Sequence, residues 1–139
     1  VTQYTYDELD AEAKASCADS PFLAVGGSAA VAAVVDEFYT RLLADASTAP
    51  FFTGLIERDG LAALKRHQVL LLAKVLGGPD RYDGRDLAVA HQGMAIDTHA
   101  YQRVSLYLLT VLHDFRVPMD ILQSADSVLR SLGPAIIAA

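Results

Sequence analysis

Among the residues whose side chains could hold or steady a small ligand are Tyr39, His67, Gln68 and His91. His67 and Gln68 are neighbours within residues 61–76, a leucine-rich stretch closed by Gly77-Gly78-Pro79, and His91 follows on a separate element. Neutral imidazole is a common metal ligand, and two imidazoles on different elements can face one another across a cofactor. A phenol and an amide are donors that can point at whatever lies between. Each of the four also has a plainer reading. A histidine in a helical protein is more often a surface or satisfied core residue, and a core tyrosine usually donates to a backbone carbonyl. Composition alone favours the plainer reading.

The elements that must position these groups can be read from spacing. Leu61, Leu64, Leu71, Leu72 and Val75 recur at helical intervals and define one apolar stripe, with Gly-Gly-Pro as its stop. Counting from Leu64 by three, four and seven reaches His67, Gln68 and Leu71, which sets the imidazole and the amide inside that stripe. A buried polar group without a partner costs about 1–3 kcal/mol, so something has to occupy their hydrogen-bonding or ligand capacity.

Upstream, residues 6–18 predict a short helix, an added arm broken by Asp19-Ser20-Pro21 and free to dock, dimerise or stand alone. Gly26-Gly27 predicts a corner and Ser28 an N-cap. Val31, Val35, Phe38 and Leu42 then line one face of a helix reaching about Ala44, with Tyr39 beside that face. Residues 47–54 read as a tight connection carrying Phe51 and Phe52 inward. Residues 79–86 read as a polar loop, and residues 87–93 are expected to be at most a short helix ending near His91. Asp97 can cap a helix striped by Tyr101, Val104, Leu108, Val111 and Leu112. The last helix opens at Pro118, carries Ile121, Leu122, Val128, Leu129 and Leu132, and stops at Gly133-Pro134. With no period-two run, the fold class is all-α.

The 139 residues suit one domain with a single core, and 53% hydrophobic content fits a packed protein or one that wraps an apolar cofactor. A net charge of −6, with acidic residues spread along the chain, offers no basic stripe for nucleic acid. Cys17 is the single cysteine, so no internal disulfide forms, although two chains could be linked through it. The apolar run 23–35 is interrupted and too short for a bilayer, and the amino terminus lacks the pattern of a secretory signal. No membrane partner is expected, and the cytoplasm is the expected compartment.

Taken in order, Phe38-Tyr39, Pro50-Phe51-Phe52-Thr53-Gly54, Leu64-Lys65-Arg66-His67-Gln68, Leu76-Gly77-Gly78-Pro79, Tyr82-Asp83-Gly84-Arg85 and Ala90-His91-Gln92-Gly93 resemble the group I truncated haemoglobins in sequence and near-spacing, over residues 21–132. The resemblance implies a truncated two-over-two helical globin fold, with residues 1–20 as an amino-terminal helical arm and 21–139 as the globin domain. It implies haem b, bound non-covalently, because residues 133–139 contain no histidine to attach to a haem vinyl group as in some members. His91 then looks like the proximal iron ligand and Phe52 like the aromatic packed on the porphyrin. Tyr39 and Gln68 look like the distal donors to a gas ligand, and Leu64 stands where many globins place a polar distal residue. His67 resembles the residue that in several members swings onto the iron as a sixth ligand, giving bis-histidyl, hexacoordinate haem. Lys65, Arg66 and Arg85 are candidates for the haem propionates, or equally for solvated surface charges, while His99 and His113 read as surface or packing residues.

The function so implied is binding of oxygen and other diatomic gases, with oxygen transport or conversion of nitric oxide to nitrate as its uses. Turnover would need an external reductase, and the chain would work as a monomer or weak dimer. The alternatives are a haem-based redox or gas sensor or electron carrier, and a haem-free helical interaction module.

Overall fold

A threonine and a glutamate open the first helix. Thr5 Oγ1 accepts from the Glu8 N–H at 3.1 Å, and the Glu8 carboxylate accepts from the Thr5 N–H at 3.3 Å. This reciprocal capping box starts α1, Tyr6–Ser16. The computed structural model describes residues 4–81 and 96–137, so His91, Arg85 and the loop and short helix expected around them lie outside the described residues. The arm docks: Leu9 and Ala13 are 0% exposed, and α1 packs on the helices that follow.

Ser20 accepts from the Leu23 N–H at 3.4 Å and begins α2, Pro21–Ala24. The next helix, α3, spans Gly27–Ala44. Its N-cap is Gly26, at φ 118, rather than the expected Ser28, which is buried in the first turn. The reason is a carboxylate from the arm. Asp10 accepts from the Ser28 N–H at 2.8 Å and from its hydroxyl at 2.7 Å, supplying the cap that no residue of α3 provides. A negative charge there also meets the positive end of the helix dipole. Val31, Val35, Phe38 and Leu42 are buried as their spacing predicts, and so are Val34 and Tyr39.

The stretch expected to be a tight connection is instead mostly helical: α4 runs Pro50–Asp59, with Pro50 in its first turn, where a missing N–H breaks no bond. Ahead of it, Thr48 is 0% exposed and its hydroxyl donates to the Leu42 carbonyl at 2.6 Å, closing the end of α3.

The leucine-rich helix, α5, spans Leu61–Val75. Gly77, at φ 77, lets its N–H reach Lys74 O at 3.0 Å while the Gly78 N–H reaches Ala73 O at 2.8 Å. That pair of bonds ends the helix where Gly-Gly-Pro predicts. The single stripe expected on α5 resolves into two flanks. Val69, Leu70, Leu72 and Ala73 are fully buried, and the C-cap Leu76 with them. Leu61, Leu64, Gln68, Leu71 and Val75 follow one another along a second, half-buried flank, with His67 beside Leu64 and Leu71.

Asp97 caps α6, Thr98–Asp114, by accepting from the Ala100 N–H at 2.7 Å. Leu108, Val111 and Leu112 bury its expected stripe. The last helix, α7, spans Met119–Ile136 and does not stop at Gly133-Pro134. Pro134 sits in the exposed last turn, so its missing N–H leaves one carbonyl to water, and burial of Gly133 and Ile136 holds the turn in place. Gly133 admits the Tyr101 ring, which a Cβ would approach to 3.3 Å, and the Tyr101 hydroxyl donates to Leu129 O.

Helices α3 and α5 form one pair and α6 and α7 the other, with α3 also packed on α6, and α4 leans on α5. The architecture is all-helical and two-over-two. Among the described residues there is no strand, and no helix is long and apolar enough to cross a membrane.

Candidate functional site

Tyr39 is the most deeply placed polar side chain of the expected site, 4% exposed on the inner face of α3. Its ring lies between two phenylalanines. Phe38 meets it with centroids 5.6 Å apart and planes at 68°, and Phe52, from the first turn of α4, at 5.8 Å and 85°. Such edge contacts hold the phenol's axis and therefore the direction of its hydroxyl. Phe52 is itself half-buried and packs on the core.

The second flank of α5 supplies the other expected groups. Leu64 and Gln68 share it, four residues apart, with Leu71 following at the next turn and His67 alongside, all half-buried. The structure thus brings Tyr39 to Phe52, and sets Leu64, His67 and Gln68 together on a mainly apolar surface. Leu71 and Phe38, read in the sequence as stripe residues of their helices, belong to these surroundings too, Phe38 through its edge contact with Tyr39.

The cationic candidates within the described residues, Lys65 and Arg66, lie elsewhere on α5. Lys65 Nζ is 2.9 Å from Asp36 Oδ1 of α3. Arg66 is half-buried toward the arm, where it acts on Tyr6: burial raises the Tyr6 phenol's pKa, and the Arg66 guanidinium offsets only part of that rise. His99 and His113 are exposed, with His113 Nδ1 3.7 Å from Asp114.

A polar hub holds the end of α3 against α6. Asp45 Oδ2 accepts from the Tyr107 hydroxyl at 2.6 Å and from Arg103 Nε and Nη2 at 2.9 and 2.7 Å, and Oδ1 accepts from the N–H and hydroxyl of Ser47 at 2.8 Å each. Tyr107 first, then Ser47 and Arg103, hold its carboxyl well below the usual carboxylate range. The hub fixes where α3, and with it Tyr39, lies relative to α6. Its partners are 58 and 62 positions apart in sequence, so no local signal marks it.

Helices packed two over two, with Tyr39 buried on the inner face of one of them, fit the two-over-two globin fold that the sequence resembles. The sequence model of the bacterial-like globins matches residues 20–136. A group 1 truncated hemoglobin, GlbN, of Mycolicibacterium paratuberculosis is 35% identical over 112 residues, covering 81% of this chain and 79% of that protein. Among solved structures, Chlamydomonas reinhardtii THB1 is 32% identical with a TM-score of 0.71, over 86% of this chain and 97% of its own. The Fe(III) truncated hemoglobin of Tetrahymena pyriformis superposes with a TM-score of 0.77 at 24% identity, over 86% and 99% of the two chains, and shares the fold. The chain belongs to the bacterial-like globins and, within them, to the group I truncated haemoglobins.

Globins of this family bind haem and small gas ligands, and the cofactor here is haem b, held non-covalently. The described residues fit it. A porphyrin presents broad apolar faces with an iron at the centre, and the second flank of α5 offers Leu61, Leu64, Leu71 and Val75 interrupted only by an amide and flanked by an imidazole.

Proposed function

We propose that this globin binds oxygen and nitric oxide at a haem for whose iron His67 would compete, and that it joins oxygen to nitric oxide to give nitrate, an external reductase returning the one electron that each turnover consumes. The observation that carries this reading is Tyr39, a phenol 4% exposed and fixed edge-on by Phe52. Haem, when bound, supplies a redox-active iron that takes diatomic gases reversibly. The chain's own residues do the rest. His91 would hold the iron, and Phe52 and Leu64 would wall the porphyrin. Tyr39 and Gln68 donate hydrogen bonds to the gas ligand, which favours oxygen over less polar competitors and keeps water out. His67 would compete with gas for the iron, and would lower apparent affinity in proportion to the fraction of protein in which it holds the iron. Lys65, Arg66 and Arg85 are the proposed partners of the propionates, Lys65 at the expense of its contact with Asp36. Residues 1–20 are an extension to a globin domain of residues 21–139, and the whole acts in the cytoplasm, in oxygen transport or nitric oxide removal, as a monomer or weak dimer.

A second reading, a redox or gas sensor or electron carrier, is supported by the docked arm: Tyr6 lies under the influence of Arg66, the residue before His67. Movement of His67 would then be felt by α1.

Absorption spectra of the ferric and dithionite-reduced protein, for wild type and His67→Ala, test both. Low-spin spectra that turn high-spin only in the variant support ligation by His67. High-spin or water-bound spectra unchanged by the substitution place His67 off the iron and leave Tyr39 and Gln68 to act at an open site. A purified protein that takes up no haem, and so lacks a Soret band, would make it a haem-free interaction module.

A further inference from the structure

The chain leaving α5 is pinned step by step to the amino-terminal elements. The Phe22 N–H donates to Leu76 O at 2.9 Å, and a Cβ on Gly78 would stand 2.9 Å from the Phe22 ring. Lys74 and Asp80 pair at 3.4 Å. Arg81 then reaches the arm with both prongs of its guanidinium, Nε at 2.9 Å from Glu12 Oε2 and Nη2 at 2.7 Å from Oε1. The Tyr4 hydroxyl donates to the same Glu12 carboxylate, and the guanidinium lies over the Tyr4 ring, 5.4 Å from its centroid. The arm is no loose partner, since Leu9, Ala13 and the Asp10 contact with Ser28 hold it on the core. Arg81 is the last described residue before the segment that carries His91, ten positions further on.

We propose that Glu12 is a positioning residue for the cofactor: through Arg81 it fixes the point from which the chain departs toward His91, and so governs how firmly haem is retained. The proposal rests on His91 being the iron ligand. An Arg81 already held by Glu12 has less conformational freedom left to lose when haem binds than an Arg81 without that partner, so binding is favoured and release is slowed. One exposed ion pair adds little to global stability, but it can govern a local opening that exposes a few residues. Glu12 should therefore act on cofactor release more than on unfolding.

The test is haem transfer from the ferric, haem-loaded full chain to excess apomyoglobin. Glu12→Gln and Arg81→Gln are expected to release haem about three- to fivefold faster than wild type, the range a two-pronged surface pair supports. The charge-swapped double variant Glu12→Arg/Arg81→Glu should return to within about twofold of wild type, since the swap restores the pair. Salt at about 1 M, which screens the pair, should speed release from wild type but not from Glu12→Gln. Melting followed by circular dichroism separates this effect from loss of fold. Single variants that release haem at the wild-type rate, or a swapped pair as fast as the singles, would overturn the proposal. His91→Ala tells the two readings apart. A spectrum unchanged by that substitution defeats the assignment of His91 and the proposal with it, whereas an altered spectrum beside wild-type release from the Glu12 variants removes the proposal alone.

Discussion

The ring of Phe52 meets the ring of Tyr39 edge-on, 5.8 Å between centroids and 85° between planes, joining the first turn of α4 to the inner face of α3. Tyr39→Phe keeps that contact and removes only the hydroxyl. Oxygen release, followed by stopped flow, should quicken about ten- to a hundredfold, since a hydrogen bond to a partly charged ligand contributes about 1.5–3 kcal/mol. Stability should fall by no more than about 1 kcal/mol. A release rate unchanged by the substitution would mean the phenol does not reach the ligand.

The cap that Asp10 lends to α3 is the arm's main polar contribution to the fold. Asp10→Ala should cost about 1–2 kcal/mol in urea unfolding, the usual value of a lost N-cap, because it orphans both the N–H and the hydroxyl of Ser28. Ser28→Ala removes only the hydroxyl and should cost less. Equal losses from the two would show that the N–H contact carries no weight.

Arg116 occupies, after α6, the place that Gly77 occupies after α5: the residue just beyond the cap, left-handed at φ 64, with its N–H on His113 O and the next N–H on Leu112 O. An L side chain is strained there, so Arg116→Gly should raise stability by about 1 kcal/mol. Gly54→Ala should stabilise by about 0.5–1 kcal/mol, because it lies inside α4 and its Cβ would meet nothing within 4 Å. Gly78→Ala should cost about 1–3 kcal/mol, since the new carbon would stand 3.0 Å from Ala73 O, which is backbone and cannot step aside. Thermal melts of the three variants check the signs.

Acid acts on the arm through Glu12. Arg81 first, then Tyr4, hold its carboxyl at about 2 against an ordinary 4.5. The folded value is the lower one, so the contact contributes fully above pH 4.5 and is lost as pH falls toward 2. Hydrogen exchange along α1 should lose protection across that window in the wild type, and show no such step in Glu12→Gln. Asp45, lowered chiefly by Tyr107, shifts in the same direction, so its hub persists further into acid.

Helix existence was legible wherever apolar residues recurred on one side, as with Val31, Val35, Phe38 and Leu42, or with Leu108, Val111 and Leu112. The ends were legible where the chemistry was local, at Asp97 and Gly77-Gly78. The Thr5–Glu8 box was readable too, as a threonine followed three residues later by glutamate. What escaped depends on residues far apart in the chain: Asp10 displacing Ser28 as the cap, Asp45 gathering Arg103 and Tyr107, and Glu12 holding Arg81. Pro134 misled because a proline in an exposed last turn costs little when Ile136 beyond it is buried.

In the candidate site, sequence order alone marked Tyr39, Phe52, Leu64, His67 and Gln68. The edge contact of Tyr39 with Phe52, and the half-buried flank shared by Leu64 and Gln68, needed coordinates. On α5 the periodicity was ambiguous for a physical reason. Leucine and valine occur around most of the helix, so spacing could not tell the fully buried Leu72 from the half-buried Leu71 beside it.

That division of α5 has a consequence for descent. Val69, Leu70, Leu72 and Ala73 are answerable to the core, and changes there are purged as loss of fold. His67, Gln68 and Leu71 are only half-buried, so exchanging them one at a time costs the scaffold less than a change at Leu72. If the proposed site is right, the residues that would meet the gas ligand can then change with less loss of fold than those of the core.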